Sequence, residues 1–169
     1  FKKTDEFRVI TCCLVPPDNA AEFTPLQLET TEFVKQELLH LLPKSYIYCN
    51  TNQIIYIHKE QDEENEYDFR KNLENIQQSI QNQLIQKEIE INFVIGIGKR
   101  VKGYSQLKES FEDSQTAIEY IDMIRTVIGD KDRSVVDSSK LGFFRMLAKH
   151  ENKEQLWSYI PEYLYKLYD

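Results

Sequence analysis

The chain has 169 residues, 41% hydrophobic and 29% charged, which is enough apolar material for one domain with its own core. It contains no run of about 18 apolar residues that would cross a membrane, and no charged-then-apolar leader that would mark secretion. With neither, the chain is expected to be soluble and cytoplasmic, and its net charge of −7 disfavours direct contact with nucleic acid, because phosphate recognition wants a basic face.

Phe1 to Glu6 is a polar lead-in, and a first residue other than Met suggests a fragment of something longer. Phe7 to Val15 carries apolar or small residues at both parities, the pattern of a central strand covered on both faces. Pro16 and Pro17 stop it. Thr24-Pro25-Leu26-Gln27 reads as a capped helix start, with Leu28, Thr31, Val34, Leu38 and Leu41 as the buried stripe and Pro43 as the stop. Two strand-like runs, Ser45 to Cys49 and Gln53 to His58, are joined by Asn50-Thr51-Asn52 and read as a hairpin.

The acidic run Lys59 to Glu66 reads as a solvated loop without calcium-loop spacing. A helix over Tyr67 to Lys87 follows, with Phe69, Leu73, Ile76, Ile80 and Leu84 inward and a glutamine-rich face toward water. Ile89, Ile91, Phe93, Ile95 and Ile97 alternate as one face of a strand. Gly96 and Gly98 close the run, as small residues that let a chain turn tightly or pass close to another backbone. With no third glycine at dinucleotide spacing and no P-loop lysine, packing is favoured over phosphate binding, and Lys99, Arg100 and Lys102 read as a solvated basic turn.

The next helix places Leu107, Phe111, Ser114, Ile118 and Ile121 on one stripe, with Ser105 as N-cap. Gly129 to Arg133 is a turn and Ser134 to Asp137 a short strand. Ser138 or Ser139 can cap a helix with Leu141, Phe144, Leu147 and Ala148 inward. A last helix from about Glu151, carrying Leu156, Trp157 and Ile160, meets Pro161 and a tyrosine-rich end. Cys12, Cys13 and Cys49 lie inside predicted strands, without disulfide or zinc spacing, and are expected to be buried thiols in a reducing compartment. His40, His58 and His150 show no metal-ligand spacing.

The order of elements predicts an α+β fold: a mostly antiparallel, ferredoxin-like sheet whose first two helices pack on one face. The hairpin at Asn50 requires an antiparallel pair, which argues against a purely parallel doubly wound sheet. Residues 1–137 are expected to form this domain, and 138–169 a C-terminal helical extension.

Ile95-Gly-Ile-Gly98, Val101-Lys-Gly-Tyr-Ser-Gln-Leu107, Ser110-Phe111, Ala117, Val135-Val136 leading to Leu141-Gly142, and Leu167-Tyr-Asp169 resemble the middle domain of PucR/CdaR-type bacterial transcriptional regulators. That domain is a degenerate relative of the GGDEF diguanylate-cyclase domain, and the resemblance covers nearly the whole chain, most clearly from about Phe93 onward. It implies a nucleotidyl-cyclase-like fold placed between a sensory region and a C-terminal helix-turn-helix absent here. Active cyclases need carboxylates that hold divalent metal, and glycines that let the nucleotide lie against the hairpin. At that place this chain has Asn50, Thr51, Asn52 and Gln53, and Leu14-Val-Pro-Pro17 lacks the aspartate expected at the end of the first strand, Asp18 falling beyond two prolines.

The resemblance therefore implies a regulatory, homodimeric, non-catalytic domain that reaches DNA only through the missing module, with no cofactor and no metal. The alternative is a sensor of a small-molecule or nucleotide effector, in which Asn50, Thr51, Asn52 and Gln53 line a ligand cleft by donating and accepting hydrogen bonds.

Overall fold

The structure, a computed structural model, describes residues 5–16, 25–42, 46–50, 52–60, 65–130 and 132–142. Thr51, Asp18, Thr24, Pro43, His150 and the expected C-terminal helices with Phe144, Leu147, Ala148, Leu156, Trp157, Ile160 and Pro161 lie outside the described residues. By packing, the chain divides into two compact units, Phe1–Ser138 and Ser139–Asp169.

The first unit is an α+β layer structure with a mostly antiparallel sheet. Its elements are β1 (Glu6–Val15), α1 (Pro25–Leu41), β2 (Tyr46–Cys49), β3 (Gln53–Lys59), α2 (Glu66–Gln86), β4 (Asn92–Ile97), β5 (Val101–Lys102), α3 (Leu107–Glu119), α4 (Ile121–Ile128) and β6 (Val135–Asp137). The strands run in the order β2-β3-β1-β4-β6, with β5 pairing the start of β1. All pairings are antiparallel except β4 with β6. The expected hairpin joins β2 to β3, and β1 is central, buried along all but its end residues.

Alternation along the strands sorts the side chains into two faces. Ile10, Cys12 and Leu14 of β1, Ile54 and Tyr56 of β3, and Phe93, Ile95 and Ile97 of β4 form one apolar core with Val34 and Leu38 of α1 and all five predicted inward residues of α2. Each fully buried aliphatic or aromatic side chain contributes about 1.5–3 kcal/mol, so this cluster is the main source of stability. Helix α2 begins at the N-cap Asn65, whose side chain accepts from the Tyr67 amide at 2.9 Å. The α1 stripe is narrower than the spacing suggested: Thr30, Thr31, Val34 and Leu38 are buried, whereas Leu28 and Leu41 are exposed at the helix margins.

The opposite face is covered by α3, and here the expectation needs correcting. The predicted stripe of Leu107, Phe111 and Ile118 is only half-buried, and the helix is turned so that Ser110, Asp113, Ser114 and Ala117 face inward. The reason lies in β4. A Cβ at Gly96 would collide with the Ser114 carbonyl and stand 2.8 Å from Ile118 Cγ1, and one at Gly98 would collide with the Ser110 carbonyl. The two glycines let the α3 backbone lie against the strand, a distance at which only small side chains fit between them. Ser105 does not cap α3 either. It sits in a 3-10 turn over Tyr104–Gln106, and the cap residue Gln106 makes no side-chain cap bond, its Oε1 accepting instead from the Lys102 amide at 3.1 Å. Ile121 opens a separate helix, α4, which ends at Gly129 in the left-handed conformation, φ 72°.

The glutamine face of α2 is also not wholly given to water. On the side of β4 away from β1, β6 pairs only its second half; among the described residues no strand flanks the first half there, and Gln81 takes that place. Its Oε1 accepts from the Phe93 amide at 2.8 Å while its Nε2 donates to the Ile91 carbonyl at 3.0 Å. Those two groups flank Asn92 as a parallel partner strand would bond them, so one carboxamide stands in for a peptide unit. Gln77 adds a bond to the Phe93 carbonyl at 2.7 Å.

Candidate functional site

The hairpin between β2 and β3 closes through the Asn50 amide donating to the Gln53 carbonyl at 2.8 Å. The Asn52 carbonyl accepts from the Leu14 amide at 3.0 Å, which clasps the turn to the end of β1. The Asn50 carbonyl accepts weakly from the Cys49 thiol at 3.4 Å. Asn50 and Asn52 are thus engaged through their backbones in holding the turn.

Gln53 differs, because its side chain reaches across to α3. Gln53 Nε2 donates to Gln115 Oε1 at 3.2 Å and Gln115 Nε2 donates back to Gln53 Oε1 at 3.3 Å. Gln115 Nε2 also contacts Thr11 Oγ1 at 3.4 Å, Thr11 Oγ1 pairs with Ser114 Oγ at 2.7 Å, and Ser114 Oγ donates to the Phe111 carbonyl at 2.7 Å. With the last bond fixed, Thr11 must donate to Ser114 and accept from Gln115. Beyond the reciprocal Gln53–Gln115 pair, the donors therefore run in one direction, from Gln115 through Thr11 and Ser114 to the Phe111 carbonyl, an arrangement in which each bond polarises the next. The network joins β3, β1 and α3 under a buried surface where an unmade bond would cost about 1–3 kcal/mol. Of the four residues expected to line a cleft, the structure places Asn50, Asn52 and Gln53 together at the hairpin, with Gln53 committed to Gln115; Thr51 lies outside the described residues.

Ser110 serves the same face one turn earlier. After Gly98 the chain leaves β1 and returns as β5, so the Val9 amide has no ladder partner there. Ser110 Oγ accepts it at 2.8 Å and donates to the Lys99 carbonyl at 2.7 Å, bridging the gap with one hydroxyl.

At the other end of β1 lies an ionic cluster that sequence spacing did not reveal. Arg8, 3% exposed, donates from Nε to Glu60 Oε1 at 2.8 Å and from Nη1 to Glu66 Oε1 at 2.6 Å. Its guanidinium also stands over the Phe69 ring, 5.1 Å from the centroid. Burial works against the Arg8 charge, but the hydrogen bond to Glu66 and the fields of Glu60, Glu66 and Asp137 outweigh it and hold the group above its ordinary range. Glu60, expected in a solvated loop, instead has a buried side chain, and Arg100 Nη2 reaches its Oε2 at 3.0 Å. The basic turn is likewise paired: Lys99 with Glu109 at 2.9 Å, and Lys102 with Glu6 at 3.7 Å. These cations neutralise carboxylates of this chain. The α3 backbone lies against the two glycines, and the turn that follows them is engaged in packing and charge pairing.

Thr11 and Gln115 were missed, and Ser114 was placed on the inward stripe without its hydrogen bonds, because each is unremarkable alone. The legible signal was Ser110-x-x-x-Ser114-x-x-Ala117 downstream of Gly96-x-Gly98, small residues on a helix matched to glycines on a strand. Among the described residues no group of three or more His, Cys, Asp or Glu stands where it could hold a metal ion, and no helix is long and apolar enough to cross a membrane. No family model, curated protein or solved structure matches the chain.

Proposed function

We propose that this chain is a non-catalytic regulatory and dimerisation domain of a cytoplasmic PucR/CdaR-type transcriptional regulator, with a ferredoxin-like core of the degenerate cyclase kind. The observation that carries the reading is the Gln53–Gln115 pair. At the hairpin where a cyclase of that lineage holds metal and nucleotide, this chain has neutral carboxamides, and the one nearest the sheet is tied into a network that fixes α3. The hairpin has the chemistry of a structural joint. The strand order β2-β3-β1-β4, antiparallel throughout, supports the ferredoxin-like assignment. The net charge of −7 supports the assignment of DNA contact to a separate module.

Incubation of the chain with GTP and Mg²⁺ or Mn²⁺, followed by chromatography, is expected to return GTP unchanged. Formation of a cyclic dinucleotide would overturn the non-catalytic assignment. The gene product is expected to carry a helix-turn-helix after Asp169, and an encoded protein without one would overturn the assignment to a DNA-binding regulator.

A further inference from the structure

The parallel ladder between β4 and β6 begins at the Ile95 amide, which donates to the Ser134 carbonyl at 2.7 Å. Its register fixes what the preceding rungs would be. Asp132 would stand opposite Asn92, its carbonyl accepting from the Phe93 amide and its amide donating to the Ile91 carbonyl, and the Ser134 amide would donate to the Phe93 carbonyl. Those three groups of β4 are the ones that α2 occupies. Gln81 Oε1 accepts from the Phe93 amide at 2.8 Å, Gln81 Nε2 donates to the Ile91 carbonyl at 3.0 Å, and Gln77 Nε2 donates to the Phe93 carbonyl at 2.7 Å. Two carboxamides of α2 and the segment just before β6 therefore compete for the same hydrogen-bonding groups.

The segment is held away from β4 by bonds of its own. The Asp132 carbonyl accepts from the Ser134 hydroxyl at 3.1 Å, the Arg133 amide donates to the Asp130 carbonyl at 3.4 Å, and the Arg133 carbonyl accepts from Arg125 Nε of α4 at 2.7 Å. No proline lies in residues 132–134 to bar a longer ladder. Lengthening exchanges three carboxamide bonds for three ladder bonds, so the number of hydrogen bonds does not decide between the two arrangements. Ordering residues 132–134 as strand opposes the change, and the rotamer freedom returned to two glutamines favours it. Asp132 is a poor strand former, which leaves the short strand as the ground state. Because Arg125 holds the Arg133 carbonyl, a movement of the segment reaches α4.

We propose that β6 is a strand of two lengths. In the short form, the three residues of this structure, Gln77 and Gln81 keep the ladder from growing. In the long form residues 132–134 zip onto β4, displace both carboxamides and draw on the end of α4. What pulls the glutamines off β4 favours the long form, and what fixes the turn against Arg125 favours the short one, so α2 and α4 each bias the same equilibrium. This device goes beyond the regulatory reading above and does not depend on it.

Residue-level hydrogen exchange by NMR tests this on the full chain, with circular dichroism to verify folding. In the double variant Gln77→Ala with Gln81→Ala the long form takes over. The Asp132 and Ser134 amides should then exchange at least about tenfold more slowly than in wild type, while the Phe93 amide keeps its protection because Asp132 has replaced Gln81. Adding Ser134→Pro, which removes the donor to the Phe93 carbonyl, should return Asp132 to its wild-type rate and leave the Phe93 amide exchanging fast. A Phe93 amide that loses protection in the double variant, with Asp132 and Ser134 unchanged, overturns the proposal, since the glutamines then only cap a fixed edge. Slowing of Asp132 that survives Ser134→Pro overturns it too, as does an absence of change at all three amides. If the double variant loses its fold, Gln81→Ala alone, which vacates two of the three groups, is read at Phe93 and Asp132 by the same criteria.

Discussion

The two faces of the sheet are built on opposite principles. On one, α1 and α2 are held by interlocking apolar side chains, with Leu73, Ile80, Leu84, Phe93, Ile95 and Ile97 at 0–1% exposure. On the other, α3 is held at backbone distance from β4 by glycines, and its contacts are hydroxyls and carboxamides of Ser110, Ser114 and Gln115. The first face gains from area and tolerates exchange of similar volumes. The second gains from geometry: it accepts no added volume and depends on each donor meeting its acceptor. One sheet thus carries a stabilising face and a position-fixing face, and the latter ties the hairpin at Asn50 to α3.

The largest expected effect is on the apolar face. Phe93→Ala removes a fully buried ring from the centre of the core and should cost about 4 kcal/mol in urea denaturation. A loss below about 1 kcal/mol would show that the core is not the main source of stability.

On the other face the same measurement should respond to the addition of a single carbon. Gly96→Ala puts a methyl group into the Ser114 carbonyl, a backbone atom that cannot rotate away, and should cost about 3 kcal/mol. An unchanged midpoint would mean that α3 is not pressed against β4.

The third effect is smaller and more local. Ser110→Ala leaves the Val9 amide and the Lys99 carbonyl without their shared partner and should cost about 2 kcal/mol. Cys12 and Cys13 report which face has loosened, since neighbours on a strand point to opposite sides and burial raises the titration of both thiols. In Ser110→Ala, mass spectrometry after maleimide treatment should find Cys13 modified before Cys12. Equal rates would indicate global opening of the sheet instead of release of one face.

The apolar face was largely legible in the sequence. The five inward residues of α2 and the alternation from Ile91 to Ile97 are periodic signals, and burial follows directly from them. On the polar face the same rule misled, because Leu107 and Phe111 belong to the more hydrophobic stripe of α3 and yet are only half-buried, while Ser110 and Asp113 are buried. A helix presents its apolar side only where the opposing surface has room for it, and at Gly96 and Gly98 the α3 backbone itself occupies most of that room. Periodicity carries no record of that distance. The hairpin was legible as a turn, but the commitment of Gln53 to Gln115 was not, since the two residues are 62 positions apart. Nor was the burial of Glu60, whose acidic neighbours in sequence suggested solvent while its partner Arg8 stands at the start of the chain.

The sequence by itself determined the kinds and order of the main elements, the antiparallel hairpin, the central place of β1 and the neutral chemistry at the turn. Each of these follows from local periodicity, from breakers or from the bare identity of residues. Only the tertiary structure decided the rotation of α3, the substitution of Gln81 for a missing strand, and the pairing of Arg8 with Glu60 and Glu66. Those depend on distances between segments far apart in the chain, and such distances are fixed by the packing of the whole domain.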